Sequence, residues 1–218
     1  MKFDDDEIRT MKTLLREFIN DYCIIRRPTG DKDFLLQDMH GGNYNWQFYP
    51  RRGLFNSKFL SYVGMIFWSK YADKFRESPF QLAGLETGST PLLVGLAMTA
   101  PSFEIRVNAF SIRKDRKTYG QYNRMEGIVN DDPVLLVDDL CNSKNTMFLA
   151  RKHCIEEGLT IYDTAFTIIN KNILPTDSAR FDKHIGAQLP VDSIFYISDF
   201  DTDYETYTYN KLHNISSY

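Results

Sequence analysis

The sequence predicts an α/β fold: a parallel-sheet core with helices on both faces. Three observations carry that prediction. Between residues 80 and 170 strand-like apolar runs alternate with helix-like segments, the order in which βαβ units build a parallel sheet. The run Val-Leu-Leu-Val at 134–137 is too continuously apolar for a strand wetted on one side, and reads as one covered on both faces. Short polar loops at 87–90 and 142–146 each stand where a strand gives way to a helix, the end of an open sheet at which ligands bind.

The first element is a helix over 4–22. Ile8, Met11, Leu14, Leu15, Phe18, Ile19 and Tyr22 recur at the spacing of one helical face, and acidic residues crowd its first turn, where the helix dipole favours negative charge. An irregular aromatic segment follows, then a helix near 57–75. Residues 80–97 read as a short strand, a Gly/Ser/Thr turn and a helix with Pro91 near its first position, where a missing N–H costs little. A strand ending near Ile112 runs into 113–124, which carries Arg113, Lys114, Arg116, Lys117 and Arg124 without apolar periodicity and reads as a mobile cationic loop. Beyond the strand at 134–137, residues 147–157 have helical character, 160–169 read as the next strand and 191–197 as the last. The end, 198–218, is rich in Asp, Tyr and Asn and reads as either a docked tail or a frayed one.

One domain is expected over 1–218, with a hood mainly in 1–55, a core at about 56–198 and a tail at 199–218. At 218 residues and 43% hydrophobic, the chain can bury one good core. A net charge of −3 gives no pull toward nucleic acid or a membrane surface. The longest apolar stretches, near 62–68 and 91–100, are too short to span a bilayer. Cys23, Cys141 and Cys154 are irregularly spaced and no secretory apolar segment opens the chain, so reduced thiols and a cytoplasmic location are expected. His40, His153, His184 and His213 are scattered, and no metal-ligand spacing is found.

The chemistry concentrates in 134–146, Val-Leu-Leu-Val-Asp-Asp-Leu-Cys-Asn-Ser-Lys-Asn-Thr. Asp138 and Asp139 are expected at the carboxyl end of the buried strand, with the backbone N–H groups of Asn142, Ser143, Lys144, Asn145 and Thr146 converging at a helix N-terminus. Carboxylates accept hydroxyls and amides hold phosphate, so the pattern suits a sugar phosphate. An isolated Asp pair is more often a turn or a helix cap, and it is the thirteen-residue context that changes the odds. In the other turn Thr87, Gly88, Ser89 and Thr90 supply small side chains and amides that let the backbone approach an anionic oxygen.

The 134–146 run closely resembles the phosphoribosyl-diphosphate (PRPP) binding motif of type I phosphoribosyltransferases. In that family the acidic pair contacts the ribose 2′- and 3′-hydroxyls and the loop holds the 5′-phosphate. Lys144 stands where the family usually has Gly. A Gly there serves close approach or positive φ, so Lys would strain the loop; equally, an ammonium beside a phosphate is attractive. Residues 80–97 look like the family's diphosphate loop. The spacing Arg113-Lys114-x-x-Lys117-x-Tyr119-Gly120 resembles the catalytic loop of orotate phosphoribosyltransferases, with Tyr119 in place of His. There the loop closes over the site, often from the neighbouring subunit, and its cations neutralise the departing diphosphate. Phe34-Leu35-Leu36 and the stretch from Trp46 to Arg52 resemble the hood that frames the base.

The resemblance implies a type I phosphoribosyltransferase fold and transfer from Mg-PRPP to a nitrogen base, orotate or a related one, giving a nucleoside 5′-monophosphate and diphosphate. It implies a catalytic set of Lys114, Lys117, Arg113, Asp138 and Asp139, a PRPP site made of the two turns and the acidic pair, and base contacts from Phe34, Phe48 and Tyr49. Magnesium would arrive with PRPP, with no site for metal alone. Chain-crossing loop closure implies a homodimer. A non-catalytic PRPP or nucleotide sensor of the same fold is the alternative, since Lys144, Tyr119 and the unfamiliar hood are where a repurposed copy would drift.

Overall fold

The computed structural model describes residues 2–26, 36–37, 43–44, 46–115, 123–142, 144–171, 189–200 and 202. Helix α1 (Asp5–Phe18) starts where Asp4 accepts a hydrogen bond from the Glu7 amide at 2.8 Å and Glu7 returns one from the Asp4 amide at 2.9 Å, a reciprocal cap that satisfies two otherwise orphaned donors. Met11 and Leu15 are buried, and the helix ends in a π-helical turn, Ile19–Cys23, that leads into β1 (Ile24–Arg26). Among the described residues the hood contains two antiparallel pairs, β1 with β4 (Trp46–Phe48), and β2 (Leu36–Gln37) with β3 (Asn43–Tyr44). A short helix, α2 (Arg51–Leu54), connects them to α3 (Ser57–Glu77), whose first turn is capped by the Asn56 side chain accepting from the Phe59 amide at 3.0 Å.

From there strands and helices alternate: β5 (Gln81–Leu85), α4 (Ser89–Thr99), β6 (Ala109–Ile112), β7 (Met125–Gly127), β8 (Val134–Cys141), α5 (Asn145–Glu156), β9 (Ala165–Asn170) and β10 (Val191–Tyr196). Among the described residues six of the strands form one sheet in the order β10-β9-β8-β5-β6-β7, parallel except for β7 at its edge. The expectation of a strand covered on both faces holds in β8. Leu135 and Val137 join the core under α3 and α4, whereas Val134 and Leu136 join a second core under α5. On the first face the Trp68 indole N–H donates to the Leu96 carbonyl at 2.7 Å and pins α3 to α4, while Phe67 and Phe80 pack on the indole and Tyr71 and Phe166 pack on Phe67.

Within the sheet the structure departs from the sequence reading in three places. Strand β8 does not end before the acidic pair but runs through it to Cys141, because Asp138, Leu140 and Cys141 pair with Thr167, Ile169 and Asn170 of β9. Strand β9 begins only at Ala165; Ile161 makes a single bridge to Val134 before the chain bends at Asp163. Residues 125–127, to which the sequence assigns no element, form β7 against β6. A three-residue strand has no readable periodicity and exists through its partner. The tail lies outside the described residues except for 199, 200 and 202.

Candidate active site

The sheet order turns back on itself between β5 and β8. From β5 the chain builds outward through β6 and β7, and from β8 it builds the other way through β9 and β10. The carboxyl ends of β5 and β8 therefore flank the crevice at the switch point, where open α/β sheets take their ligands. Both sequence-predicted motifs arrive there. After β5 come Glu86, Thr87 and Gly88, and then α4 beginning at Ser89. Ser89 is buried and its hydroxyl donates to the Leu85 carbonyl at 2.6 Å, holding the helix start hard against the strand it follows. That approach requires Gly84, since a Cβ there would lie 2.4 Å from Ser89 and 2.5 Å from the Val137 carbonyl.

Asp138 and Asp139 are 6% and 9% exposed, unusually buried for carboxylates. The Asp139 amide donates to Asp138 Oδ1 at 3.0 Å, and the two side chains are themselves hydrogen-bonded. Burial pushes the Asp138 carboxyl well above the usual range, and the adjacent Asp139 charge pushes it further. Asp139 is also raised by burial, against its hydrogen bond with Asp138 and the positive field of Arg51. By strand alternation Asp139 faces the α4 side, and a methyl group built on Gly88 would lie 3.4 Å from Asp139 Oδ1 and 3.6 Å from Arg51 Nη2. Acidic pair and small-residue turn are thus in one site.

The phosphate-loop candidates follow β8. Asn142 is exposed, Lys144 caps α5 in the left-handed conformation at φ 61°, and Asn145 and Thr146 are exposed in the first turn of that helix. Ser143 lies outside the described residues. The position where the family usually has Gly thus has the backbone that favours Gly, and Lys144 occupies it.

At the root of the cationic loop, the Arg113 amide donates to the Arg124 carbonyl at 2.9 Å and the Lys114 amide donates to Glu86 at 3.2 Å. Arg113 pairs with Glu126 at 3.1 Å and stands 3.8 Å from Glu86, while Arg124 pairs with Glu156 at 2.6 Å beside His153. Glu86, which opens the small-residue turn, therefore ties that turn to the loop. Lys114 is exposed, and Lys117 and Tyr119 lie outside the described residues. In the hood, Phe34 also lies outside them. Phe48, expected to touch a base, is 3% exposed and packs edge-on against Trp46 and Phe200, so it supports the hood from within; Tyr49 is exposed. Sequence reasoning missed Arg51 and Glu86. The signal for Arg51 was a pair of arginines opening a short helix, where the dipole disfavours cations.

No family model matches the chain. The orotate phosphoribosyltransferase of Methanocaldococcus jannaschii is 27% identical over 140 residues, 64% of this chain and 73% of that protein. Among solved structures, a Mycobacterium tuberculosis orotate phosphoribosyltransferase superposes with a TM-score of 0.66 at 16% identity, covering 87% of this chain and 98% of that one. The chain has the type I phosphoribosyltransferase fold. A phosphoribosyltransferase from Corynebacterium diphtheriae has the same fold, with a TM-score of 0.65 at 17% identity over 87% of this chain and 98% of that one.

The buried pair costs the fold stability at neutral pH. The folded pKa of Asp138 is raised above its unfolded value of about 3.9, so its contribution favours the fold at low pH and is lost as pH rises through the folded pKa. Asp138→Asn is therefore expected to raise Tm at pH 7 by roughly 2–4 °C, the shift that about 1 kcal/mol produces at this size. In thermal unfolding scans that gain should shrink as pH falls toward 3; a loss of Tm at pH 7 would contradict the assignment. Lys144→Gly should add about 1 kcal/mol by relieving the left-handed backbone. A denaturant midpoint lower than wild type would instead mean that the ammonium contributes more than the strain removes.

Proposed function

We propose that this protein is a phosphoribosyltransferase, transferring the phosphoribosyl group of Mg-PRPP to a nitrogen base, orotate or a close relative, releasing diphosphate and forming a nucleoside 5′-monophosphate. The observation that supports this most is the convergence of the acidic pair and the small-residue turn at the β5–β8 switch point. The carboxylates of Asp138 and Asp139 would accept the ribose 2′- and 3′-hydroxyls, and gaining those donors would favour their ionised forms. Amides of residues 142–146 would hold the 5′-phosphate, and Thr87, Gly88 and Thr90 would face the diphosphate, with the buried Ser89 bracing the turn from beneath.

In the reaction the bond from the anomeric carbon to the diphosphate oxygen breaks and a bond from the base nitrogen forms. Negative charge collects on the leaving group while the sugar becomes oxocarbenium-like. Preorganised cations lower such a barrier, and Lys114 and Lys117 would take that role, with Arg113 bracing the loop root through Glu86 and Glu126. The two adjacent carboxylates are hard oxygen donors that fit Mg²⁺. Among the described residues no group of three or more His, Cys, Asp or Glu could hold a metal by itself. The ion would thus be held mainly by the substrate's own oxygens, and it would supply charge neutralisation on the diphosphate. Tyr49, which is exposed, would meet the base.

A homodimer belongs to the same reading. Phe55, Met98 and Ile128 are 82%, 76% and 73% exposed, apolar surface that a second copy would cover. No helix among the described residues is long and apolar enough to cross a membrane. The sensor alternative is not favoured, because the relatives are named as transferases.

Diphosphate release from Mg-PRPP, measured with orotate and a panel of other bases, is expected to depend on the base and to vanish in the Asp138→Asn/Asp139→Asn double variant. Lys117→Ala should lower turnover by about 10²- to 10³-fold while leaving PRPP binding largely intact. Release without any base preference, or full turnover in Lys117→Ala, would overturn the reading.

A further inference from the structure

Two adjacent arginines open α2, and they point to different tasks. Arg52 turns back into the hood, where its guanidinium donates to the Tyr22 carbonyl at 3.4 Å. Arg51 turns toward the crevice. Its Nη2 and Asp139 Oδ1 flank the open space over Gly88, each within van der Waals reach of a methyl group that Gly88 lacks. Its charge is felt at both Asp138 and Asp139. The side chain is exposed, so it can reorient toward a ligand.

Electrostatics says why a cation belongs there. The proposed chemistry brings a polyanionic diphosphate to Gly88, beside two carboxylates set aside for hydroxyls. Without a positive charge between them, repulsion would oppose the substrate at low local dielectric. The arginines at the loop ends are otherwise engaged: Arg113 with Glu126 and Glu86, and Arg124 with Glu156. A guanidinium also matches the demand in shape, since its planar fork donates two parallel hydrogen bonds to one phosphate.

We propose that Arg51 is a diphosphate-binding residue, standing over Gly88 and separating the leaving group of the substrate from the Asp138–Asp139 pair. In the free protein it lies beside the carboxylates; with substrate its guanidinium turns to the diphosphate oxygens. This rests on reading the crevice as a PRPP site, and it assigns a residue that neither the motif pattern nor the loop resemblance points to. It also explains why the hood is attached through α2: the segment that closes over the base carries a cation to the diphosphate.

The test is calorimetric titration of wild type, Arg51→Ala, Arg51→Lys and Arg52→Ala with inorganic diphosphate and with PRPP, each with and without Mg²⁺. Arg51→Ala should lose at least about tenfold in affinity for both ligands, the effect of one charge-assisted contact. Arg51→Lys should recover part of that loss, and Arg52→Ala should bind like wild type. Wild-type affinity for both ligands in Arg51→Ala would overturn the proposal, as would an equal loss in Arg51→Ala and Arg52→Ala, which would mark a hood defect. If wild type binds diphosphate but not PRPP, the PRPP reading fails, and the Arg51→Ala diphosphate titration still decides the role of Arg51. If wild type binds neither, both fail.

Discussion

The parallel pairing of β5 with β8 is the constraint on which the rest of the molecule depends. Gln81, Leu82 and Ala83 lie opposite Val134, Leu135 and Leu136, so both strands deliver their carboxyl ends to the same side of the sheet. Strands that neighbour in space but are far apart in sequence need crossovers, and α4 with β6 and β7 fills that interval. The register leaves Gly88 beside Asp139 and brings Arg51 of α2 to the same point. A slip of one residue in β8 would exchange its two faces, sending Asp139 toward α5 and Leu140 toward the turn. The apolar alternation of Val134 to Val137 between two separate cores makes that slip costly, so core packing fixes the geometry of the site.

The second theme is charge placed against the interests of the fold. Two adjacent acids, nearly removed from water and hydrogen-bonded to each other, repel one another when ionised, and burial disfavours the charged forms further. Lys144 in a left-handed backbone is a second local cost. Both features lie in the same thirteen-residue segment, and such departures from local preference cluster where a protein binds or reacts. The surroundings compensate: Arg51 lowers both carboxyls, and Arg113 is braced by two glutamates.

Much of this was legible in the sequence because burial writes itself into patterns. The continuous apolar run of β8, the 3.6-residue stripe of α1 and the Gly/Ser/Thr turn before Pro91 each carry a local physical signature, and each element lies where that signature predicts. Asp138, Asp139 and Gly88 were legible by another route, the resemblance of the runs that carry them to known motifs. What could not be read depends on partners distant in sequence. Strand β7 exists through β6, the extension of β8 past its acids exists through β9, and Phe48 is buried because Phe200 meets it from the other end of the chain. Arg51 reaches the site from the hood, and no spacing rule connects residue 51 with residues 88 and 139. Glu86 likewise looks like an ordinary polar residue until the fold sets it against Arg113 and Lys114.

The central claim is that two turns, from β5 and β8, form a single sugar-phosphate site. Amide hydrogen exchange with and without Mg-PRPP tests it most directly, because it reports each turn separately and needs no turnover. The account predicts slower exchange in 86–90 and in 141–147 together, over the same range of PRPP concentration, with both effects absent in the Asp138→Asn/Asp139→Asn variant. Protection confined to one turn, or protection of both that survives loss of the acidic pair, would contradict it.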